Sequence, residues 1–184
     1  MELTAGKFRV KDLTYIAVFT ALLAVCAWIA IPTPVQIDFT LQTMGIFLAV
    51  GVLGGKRGTL SILAYLLLGL VGAPVFSGFS GGAGALLTPS GGYLVGFLFS
   101  GLLMWALEKA LGERAWVLAL SMVLGLLVCY AFGTAWFMVV YPMGGESVGL
   151  WTALSWCVVP YVPFDAMKIV LALILSLRLR PHVK

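Results

Sequence analysis

Residues 116–140 read WVLALSMVLGLLVCYAFGTAWFMVV, a long apolar run without a charged side chain. At a rise of ~1.5 Å per residue, a helix of this length crosses the ~30 Å hydrocarbon layer of a membrane with some tilt. The rest of the chain has the same character: 62% of its 184 residues are hydrophobic, only 10% are charged, and the mean hydropathy is +1.11. Soluble domains average ~45–50% apolar and ~25% charged residues. The composition therefore predicts an integral membrane protein.

Five further apolar runs bring the predicted number of transmembrane helices to six, in one all-α domain over residues 1–184. Among the short runs are Leu41–Leu53 and Thr59–Ala73, the second and third along the chain, whose 13 and 15 residues are fewer than the ~17 that a crossing needs at minimum. We expect them to cross only if they are buried against neighbours or extended by loop residues. Short or proline-interrupted runs often mark a binding site in transport proteins. The five runs are Leu13–Ile31, Leu41–Leu53, Thr59–Ala73, Tyr93–Leu107 and Val158–Leu179, the last interrupted by Pro160 and Pro163.

The basic residues predict the orientation. If six helices cross alternately, ten of the eleven Lys and Arg residues fall on one side, which the positive-inside rule assigns to the cytoplasm together with both termini. The other side has only two charged residues, Asp38 and Glu146. Membrane orientation therefore explains the net charge of +4 better than a nucleic-acid partner does. The ten basic residues are Lys7, Arg9, Lys11, Lys56, Arg57, Lys109, Arg114, Arg178, Arg180 and Lys184.

Lys168 is the basic residue that breaks this rule. It precedes Arg178 by ten residues, which places it ~15 Å from the inner interface, near the middle of the bilayer. Asp165 lies three residues earlier, on the same helix face. A charge at this depth costs at least ~2.5–3.5 kcal/mol, which is tolerated where the group is paired or faces a polar cavity. The residues leave two interpretations: an ion pair that neutralises itself, or a site for a small polar or anionic solute.

Other polar and aromatic features lie near the predicted outer side. Residues 77–92 form an uncharged glycine-rich stretch, which is either a flexible connector or a lid over a pocket. Gln42 opens the second run and is either a helix cap or a pocket residue. Four aromatic residues near the outer ends of runs form an interfacial belt or line the pocket: Trp28, Tyr141, Trp151 and Trp156.

Ala17 and Ala21 stand four residues apart in the first run, with Ala24 close by on the same predicted face. Small residues at this spacing let another helix approach closely. Packing within the protein and docking of a separate membrane subunit are the two alternatives.

Several classes of protein are disfavoured by the sequence. A GxxxxGK[ST] motif for ATP binding is missing, so ATP hydrolysis would need another subunit. Three cysteines without a CxxC spacing do not indicate a zinc site or a disulfide framework. The single histidine, His182, lies in the tail, and no base is paired with a nucleophile. We therefore expect neither an enzyme nor a bound cofactor or metal.

Four segments carry a resemblance to a known family. They are residues 39–43 (FTLQT), 56–58 (KRG), 81–84 (GGAG) continuing through 88–97 (TPSGGYLVGF), and 160–168 (PYVPFDAMK). The last two, in this order and spacing, are the more specific. Nearly the full length of the chain resembles the BioY family, the biotin-binding S components of energy-coupling factor (ECF) transporters.

The resemblance implies the six-helix S-component fold in the cell membrane, with biotin bound from the outer side. It also implies three partners: a transmembrane T component and two cytoplasmic ATPases. Ala17 and Ala21 match the alanine motif by which S components meet the T component. The acid and the lysine of the family's last helix correspond to Asp165 and Lys168.

Biotin has an apolar bicyclic body, a carboxylate, and a ureido group with two donors and one acceptor. We expect Asp165 to accept a ureido N–H, and Lys168 to donate to the ureido carbonyl or to the carboxylate. Phe79, Tyr93 and Trp156 are expected to pack on the ring. The rival interpretations are an S component for another vitamin, such as riboflavin or thiamin, and an autonomous secondary transporter. The latter usually shows an inverted repeat or a relay of ionisable residues, and we see neither.

Overall fold

The computed structural model describes residues 9–34, 37–141 and 148–183. Helices dominate this part of the chain. Lys7, Glu146 and Lys184, which entered the charge count above, lie outside the described residues. The seven α-helices of the described part are α1 (Val10–Trp28), α2 (Gln42–Leu53), α3 (Gly55–Val71), α4 (Gly91–Leu111), α5 (Ala115–Val140), α6 (Leu150–Cys157) and α7 (Val162–Val183).

The helix lengths support a membrane protein. Helices α1, α4 and α5 are long and apolar enough to span a bilayer, and α6 with α7 forms a fourth candidate span that is bent by 49°. Helix α2 is apolar but has only 12 residues, and α3 has 17. The prediction of a helical membrane protein is confirmed. By their length and composition alone, three or four of the described helical segments qualify as membrane spans.

Helix α2 lies at the centre of the bundle. Every residue from Gly45 to Leu53 is buried, and α2 packs against α1, α3, α4 and α7. This arrangement matches the expectation that the short second run is buried against its neighbours. A helix covered by protein does not need the full apolar length that lipid contact requires.

The sixth predicted run, Val158–Leu179, corresponds to α7 and the break before it. Helix α6 ends at Cys157, just before the predicted run, and α7 begins at Val162. Pro160 has no N–H for a continuing helix and disfavours helical backbone at the residue before it, so the chain breaks there. Pro163 lies in the first turn of α7, where a missing N–H removes no intrahelical hydrogen bond.

The helical fold includes one short β-ribbon that was not predicted from the sequence. Ala30–Ile31 and Phe39–Thr40 form a two-stranded antiparallel ribbon between α1 and α2. Pro32 follows the first strand and cannot continue a helix, so the backbone pairs across the connection instead. The glycine-rich stretch contains two short 3-10 helices, Ser77–Phe79 and Ala83–Leu87.

Small residues let the helices approach closely. Where α2 meets α7, a Cβ on Gly51 would collide with the buried side chain of Ser176. Where α4 meets α5, a Cβ on Gly125 would stand 2.5 Å from Ser100 Oγ. Van der Waals packing of this kind is a main source of helix association in lipid.

Two glycines shape the junction of α2 and α3. Gly54 has a φ of +83°, which a residue with a side chain adopts only with strain. Gly58, within the KRG segment, lies so close to the backbone of Val50 that a Cβ would overlap it. The two helices can therefore fold back on each other within a single residue of chain.

Polar contacts gather several helix ends at one end of the bundle. Asp12 of α1 pairs with Arg57 of α3 at 3.0 Å. Glu108, near the end of α4, accepts a hydrogen bond from the backbone N–H of Gly55 and pairs with Arg180 near the end of α7. We call this end, marked by these five residues, the basic end.

The basic end collects almost all described cations. Apart from Lys168, the described Lys and Arg residues lie at the start of α1 or α3, at the end of α4 or α7, or just before α5. The basic residues that the positive-inside rule assigned to one side of the membrane thus lie together at one end of the bundle.

We expect Glu108→Ala to lower the free energy of unfolding in detergent by about 3 kcal/mol, because it leaves the Arg180 guanidinium and the N–H of Gly55 without this partner. The matched control is Glu113→Ala, whose half-exposed carboxylate lies 3.5 Å from the same guanidinium. It should cost below about 1 kcal/mol. Denaturant titration of both variants measures the difference, and equal losses would contradict the role of Glu108.

Candidate ligand-binding site

A cavity of about 520 Å³ opens at the end of the bundle opposite the basic end. Its mouth is lined by Asp38, from the segment after α1, and by Ser77, from the glycine-rich stretch after α3. Its walls come from α2, α4, α5 and α7 and from the break between α6 and α7. Sites for small organic molecules typically measure ~300–1,000 Å³. The cavity therefore has the size of a small-molecule pocket.

Asp165 and Lys168 meet in the cavity wall. Lys168 Nζ lies 2.8 Å from Asp165 Oδ1, and the two residues are only 3% and 7% exposed. Tyr130 of α5 donates a hydrogen bond to Asp165 Oδ2 at 2.6 Å, and Thr43 of α2 donates one to Asp165 Oδ1 at 2.9 Å. Donors from three helices thus converge on one carboxylate, which offsets the free energy of burying it.

The local fold explains the position of this pair. Asp165 lies in the first turn of α7, and its backbone N–H donates to Tyr161 O at 2.8 Å. A carboxylate is favoured there because the helix dipole is positive at its N-terminus. Lys168 follows three residues later on the same face. The break before α7 is therefore what places a helix start, and with it the acid, beside the cavity.

Two segments cover the mouth of the cavity and are joined to each other. Ser77 Oγ donates to Asp38 Oδ2 at 2.5 Å, which links the glycine-rich stretch to the segment after α1. The carbonyl of Ile37 accepts hydrogen bonds from the hydroxyls of Thr33 and Tyr161. The glycine-rich stretch therefore lies where a lid would have to lie. That it moves as a lid stays a prediction.

Gln42 and Tyr93 line the cavity. The side-chain amide of Gln42 donates to the Tyr65 hydroxyl at 2.8 Å and accepts from Thr40 at 3.0 Å. Gln42 is thus a pocket residue, and its amide is held by the protein. The Tyr93 hydroxyl donates to the Cys157 carbonyl at the end of α6 and is thus held by the protein.

Phe79 and Trp156 do not line the cavity, which corrects their predicted place beside the ligand. Phe79 is 62% exposed and stacks on Trp28 with ring centroids 5.1 Å apart. Its φ is +56°, a value that residues other than glycine seldom adopt. Trp156 lies on α6, whose buried residues are Ala153 and Cys157, and it is 39% exposed.

The other predicted belt residues also lie outside the cavity lining. Trp151 is exposed, as an interfacial residue would be, and Tyr141 packs on Phe137 and Trp156. Trp28 donates its indole N–H to Pro74 O at 2.9 Å. The belt interpretation fits these positions better than the pocket interpretation does.

Several lining residues were missed from the sequence. Tyr130 lies within the longest apolar run, where its hydroxyl was the one sign of a polar role. Thr43 belongs to the FTLQT segment, but no role was predicted for its side chain from the sequence. Phe76 and Tyr161 contribute rings to the wall, and both carry a contact that holds them: Phe76 packs edge-on to Tyr65, and Tyr161 stacks on Phe39.

The alanines of α1 divide between surface and core. Ala17 and Ala21 are exposed on the described surface, so they do not serve internal packing. Ala24 is buried at 6% exposure, although it was expected on the same face. The C-terminal half of α1 packs more deeply than the N-terminal half, with Leu23, Cys26 and Ala27 also buried. Ala17 and Ala21 thus remain open to lipid or to a partner.

The sequence matches the BioY family over residues 2–184. The chain belongs to the BioY family. This confirms the resemblance seen in the four sequence segments. The helices, the cavity and the buried pair described above are therefore features of a BioY family member.

The chain is 41% identical over 170 residues to the biotin transporter BioY of Thermotoga maritima, covering 92% of this chain and 96% of that relative. It is 35% identical over 179 residues to a biotin transporter BioY of Lactococcus lactis subsp. cremoris, covering 94% and 92%. A crystal structure of the S component for biotin from an ECF-type ABC transporter is similar with a TM-score of 0.84 and 34% identity, covering 94% and 92%. The chain therefore shares the fold of an ECF S component.

We expect Lys168→Met to lower the free energy of unfolding by about 3–5 kcal/mol, because it leaves Asp165 buried without its cation. The double variant Asp165→Asn/Lys168→Met should be more stable than Lys168→Met alone, since no uncompensated charge remains. Denaturant titration of the detergent-solubilised variants compares them. A double variant that is as unstable as the sum of the two single variants would contradict a coupled pair.

Proposed function

We propose that this chain is the biotin-binding S component of a vitamin uptake transporter, which captures biotin from the outer side of the cell membrane. The observation that carries the proposal is the buried Asp165–Lys168 pair in the wall of a cavity of ligand size. Membership of the BioY family and the shared S-component fold support the same ligand. A transporter family and fold also argue against enzymatic activity.

The pair suits the ureido group of biotin. The Asp165 carboxylate accepts a ureido N–H, and the Lys168 ammonium donates to an acceptor oxygen of the ligand, either the ureido carbonyl or the carboxylate. In an apolar surround these hydrogen bonds strengthen, and a ligand that leaves them unmade is penalised. The aromatic wall, which includes Tyr93, Phe76 and Tyr161, provides apolar surface for the bicyclic body. Biotin is here the transported ligand, and the proposal needs no cofactor.

For the topology we propose six crossings with both termini in the cytoplasm. Helices α1 to α5 supply five crossings, and α6 with α7 supplies the sixth. The buried position of α2 supports this count, because a short helix surrounded by protein can cross without full lipid contact. The basic end then faces the cytoplasm and the cavity faces outward, in agreement with the positive-inside rule.

We propose that a transmembrane T component and two cytoplasmic ATPases are the partners with which this chain transports biotin. Ala17 and Ala21 on the exposed face of α1 are the proposed docking site, since two small side chains one turn apart admit another helix closely. The exposed Leu13 and Val18 nearby extend the apolar surface that such a helix would cover.

Titration calorimetry of the purified protein in detergent tests the ligand. We expect one-to-one binding of biotin, and no comparable binding of riboflavin or thiamin. Lys168→Ala should weaken biotin binding at least about 100-fold, because it removes a contact and strands Asp165. The control Lys109→Ala changes an exposed lysine of the basic end and should leave the affinity unchanged. Unchanged biotin affinity in Lys168→Ala would overturn the assignment of the site.

Co-purification with a T component tests the docking face. Ala17→Trp/Ala21→Trp should abolish the complex without loss of biotin binding, because two indoles prevent close helix approach. The matched control is Ala131→Trp/Ala135→Trp, which alters two exposed alanines at the same spacing on α5. Assembly that is unaffected by the α1 change, or lost equally in both variants, would argue against docking on α1.

A further inference from the structure

The hydrogen-bonding capacity of the Asp165–Lys168 pair is largely used by the protein itself. A carboxylate offers about four acceptor positions, and Asp165 fills three of them with Lys168, Thr43 and Tyr130. An ammonium group has three donors, and Lys168 directs one to Asp165 while a second lies 3.4 Å from Thr43 Oγ1. Among the described contacts, about one acceptor position and about one N–H of the pair remain for a ligand.

The two hydroxyls are placed by different helices. Thr43 lies in α2 and Tyr130 in α5, and both helices pack against α7, which carries the pair. A buried hydroxyl with only a local role bonds within its own helix, as Ser121 of α5 does to the carbonyl of Leu118. Thr43 and Tyr130 instead reach across to α7, so their contacts hold the acid from two sides.

We propose that Thr43 and Tyr130 are positioning residues for ligand recognition, a role that rests on the function proposed above. By engaging both carboxylate oxygens, they keep Asp165 from rotating and keep Lys168 from turning all of its N–H groups onto the acid. The pair then presents one acceptor beside one donor. That pattern is complementary to an N–H beside a C=O on a cyclic urea or amide.

This arrangement gives the two hydroxyls a part in specificity. A ligand edge with two donors, or with two acceptors, would leave one buried group of the pair or of the ligand without a partner. Without the hydroxyls, the carboxylate and the ammonium can satisfy each other more completely, and less of their capacity faces the cavity. Thr43 and Tyr130 thus act through Asp165 and Lys168.

The test is a set of binding measurements on the full chain in detergent, with biotin as the probe. Tyr130→Phe and Thr43→Val are each expected to weaken binding about 10- to 100-fold, because each removes a hydrogen bond to a charged group. In a Lys168→Gln background, measured at raised protein concentration, the same changes should weaken binding by smaller factors than in the wild type, because the ammonium is gone although Asp165 is still held.

Two further variants separate positioning from general damage. Thr43→Ser keeps the hydroxyl and should bind biotin within about threefold of the wild type. Ser121→Ala removes a buried hydroxyl from α5 that does not touch the pair, and it should leave the affinity unchanged.

Three outcomes would overturn the inference. If Tyr130→Phe and Thr43→Val lower the biotin affinity by the same factors in the Lys168→Gln background as in the wild type, the hydroxyls do not act through the pair. Thr43→Ser as weak as Thr43→Val would show that the hydroxyl of Thr43 is not what matters. A folded wild-type protein that does not bind biotin would overturn the proposed function, and this inference with it, whereas the first two results leave that function intact.

Discussion

A carboxylate and an ammonium group buried inside a membrane bundle must neutralise each other and must also be hydrogen-bonded, because neither lipid nor apolar side chains can solvate them. Much of this structure serves that constraint at Asp165 and Lys168. The chain breaks before α7, so that the acid lies at a helix start, and α2 and α5 each bring a hydroxyl to it. The hydroxyls that hydrogen-bond to the pair also determine which of its acceptor and donor positions stay free for a ligand.

The two ends of the bundle meet different physical demands. At the basic end, Glu108 joins α3, α4 and α7 through a backbone hydrogen bond and an ion pair, close to where water can solvate the surrounding cations. At the other end the helices are joined by longer segments, which form the mouth of the cavity and contact each other through Asp38 and Ser77. The helices are joined directly at the basic end and by longer segments at the cavity end. This difference suits a protein whose helices stay in place while a ligand enters from one side.

Features that depend on local sequence could be predicted, and features that depend on distant contacts could not. The apolar runs, the clustering of cations and the i,i+3 relation of Asp165 and Lys168 follow from composition and helical spacing alone. The separate helix α6 was missed because its eight residues lie before the predicted run that begins at Val158 and are too few to cross a membrane by themselves. Phe79 was misplaced because its ring stacks on Trp28, a residue far away along the chain, and the sequence around neither residue indicates this contact.

The sequence by itself determined that this chain lies in a membrane, approximately where most of its helices lie, and which two charges are buried. These properties follow from transfer free energies that act residue by residue, so periodicity and composition report them. Only the tertiary structure decided which residues surround the charges. Thr43 and Tyr130 are 122 and 35 residues away from Asp165 along the chain and meet it only through the packing of α2 and α5 on α7. Which side chains meet in a bundle is set by which helices are neighbours, and that information is not contained in any one run of residues.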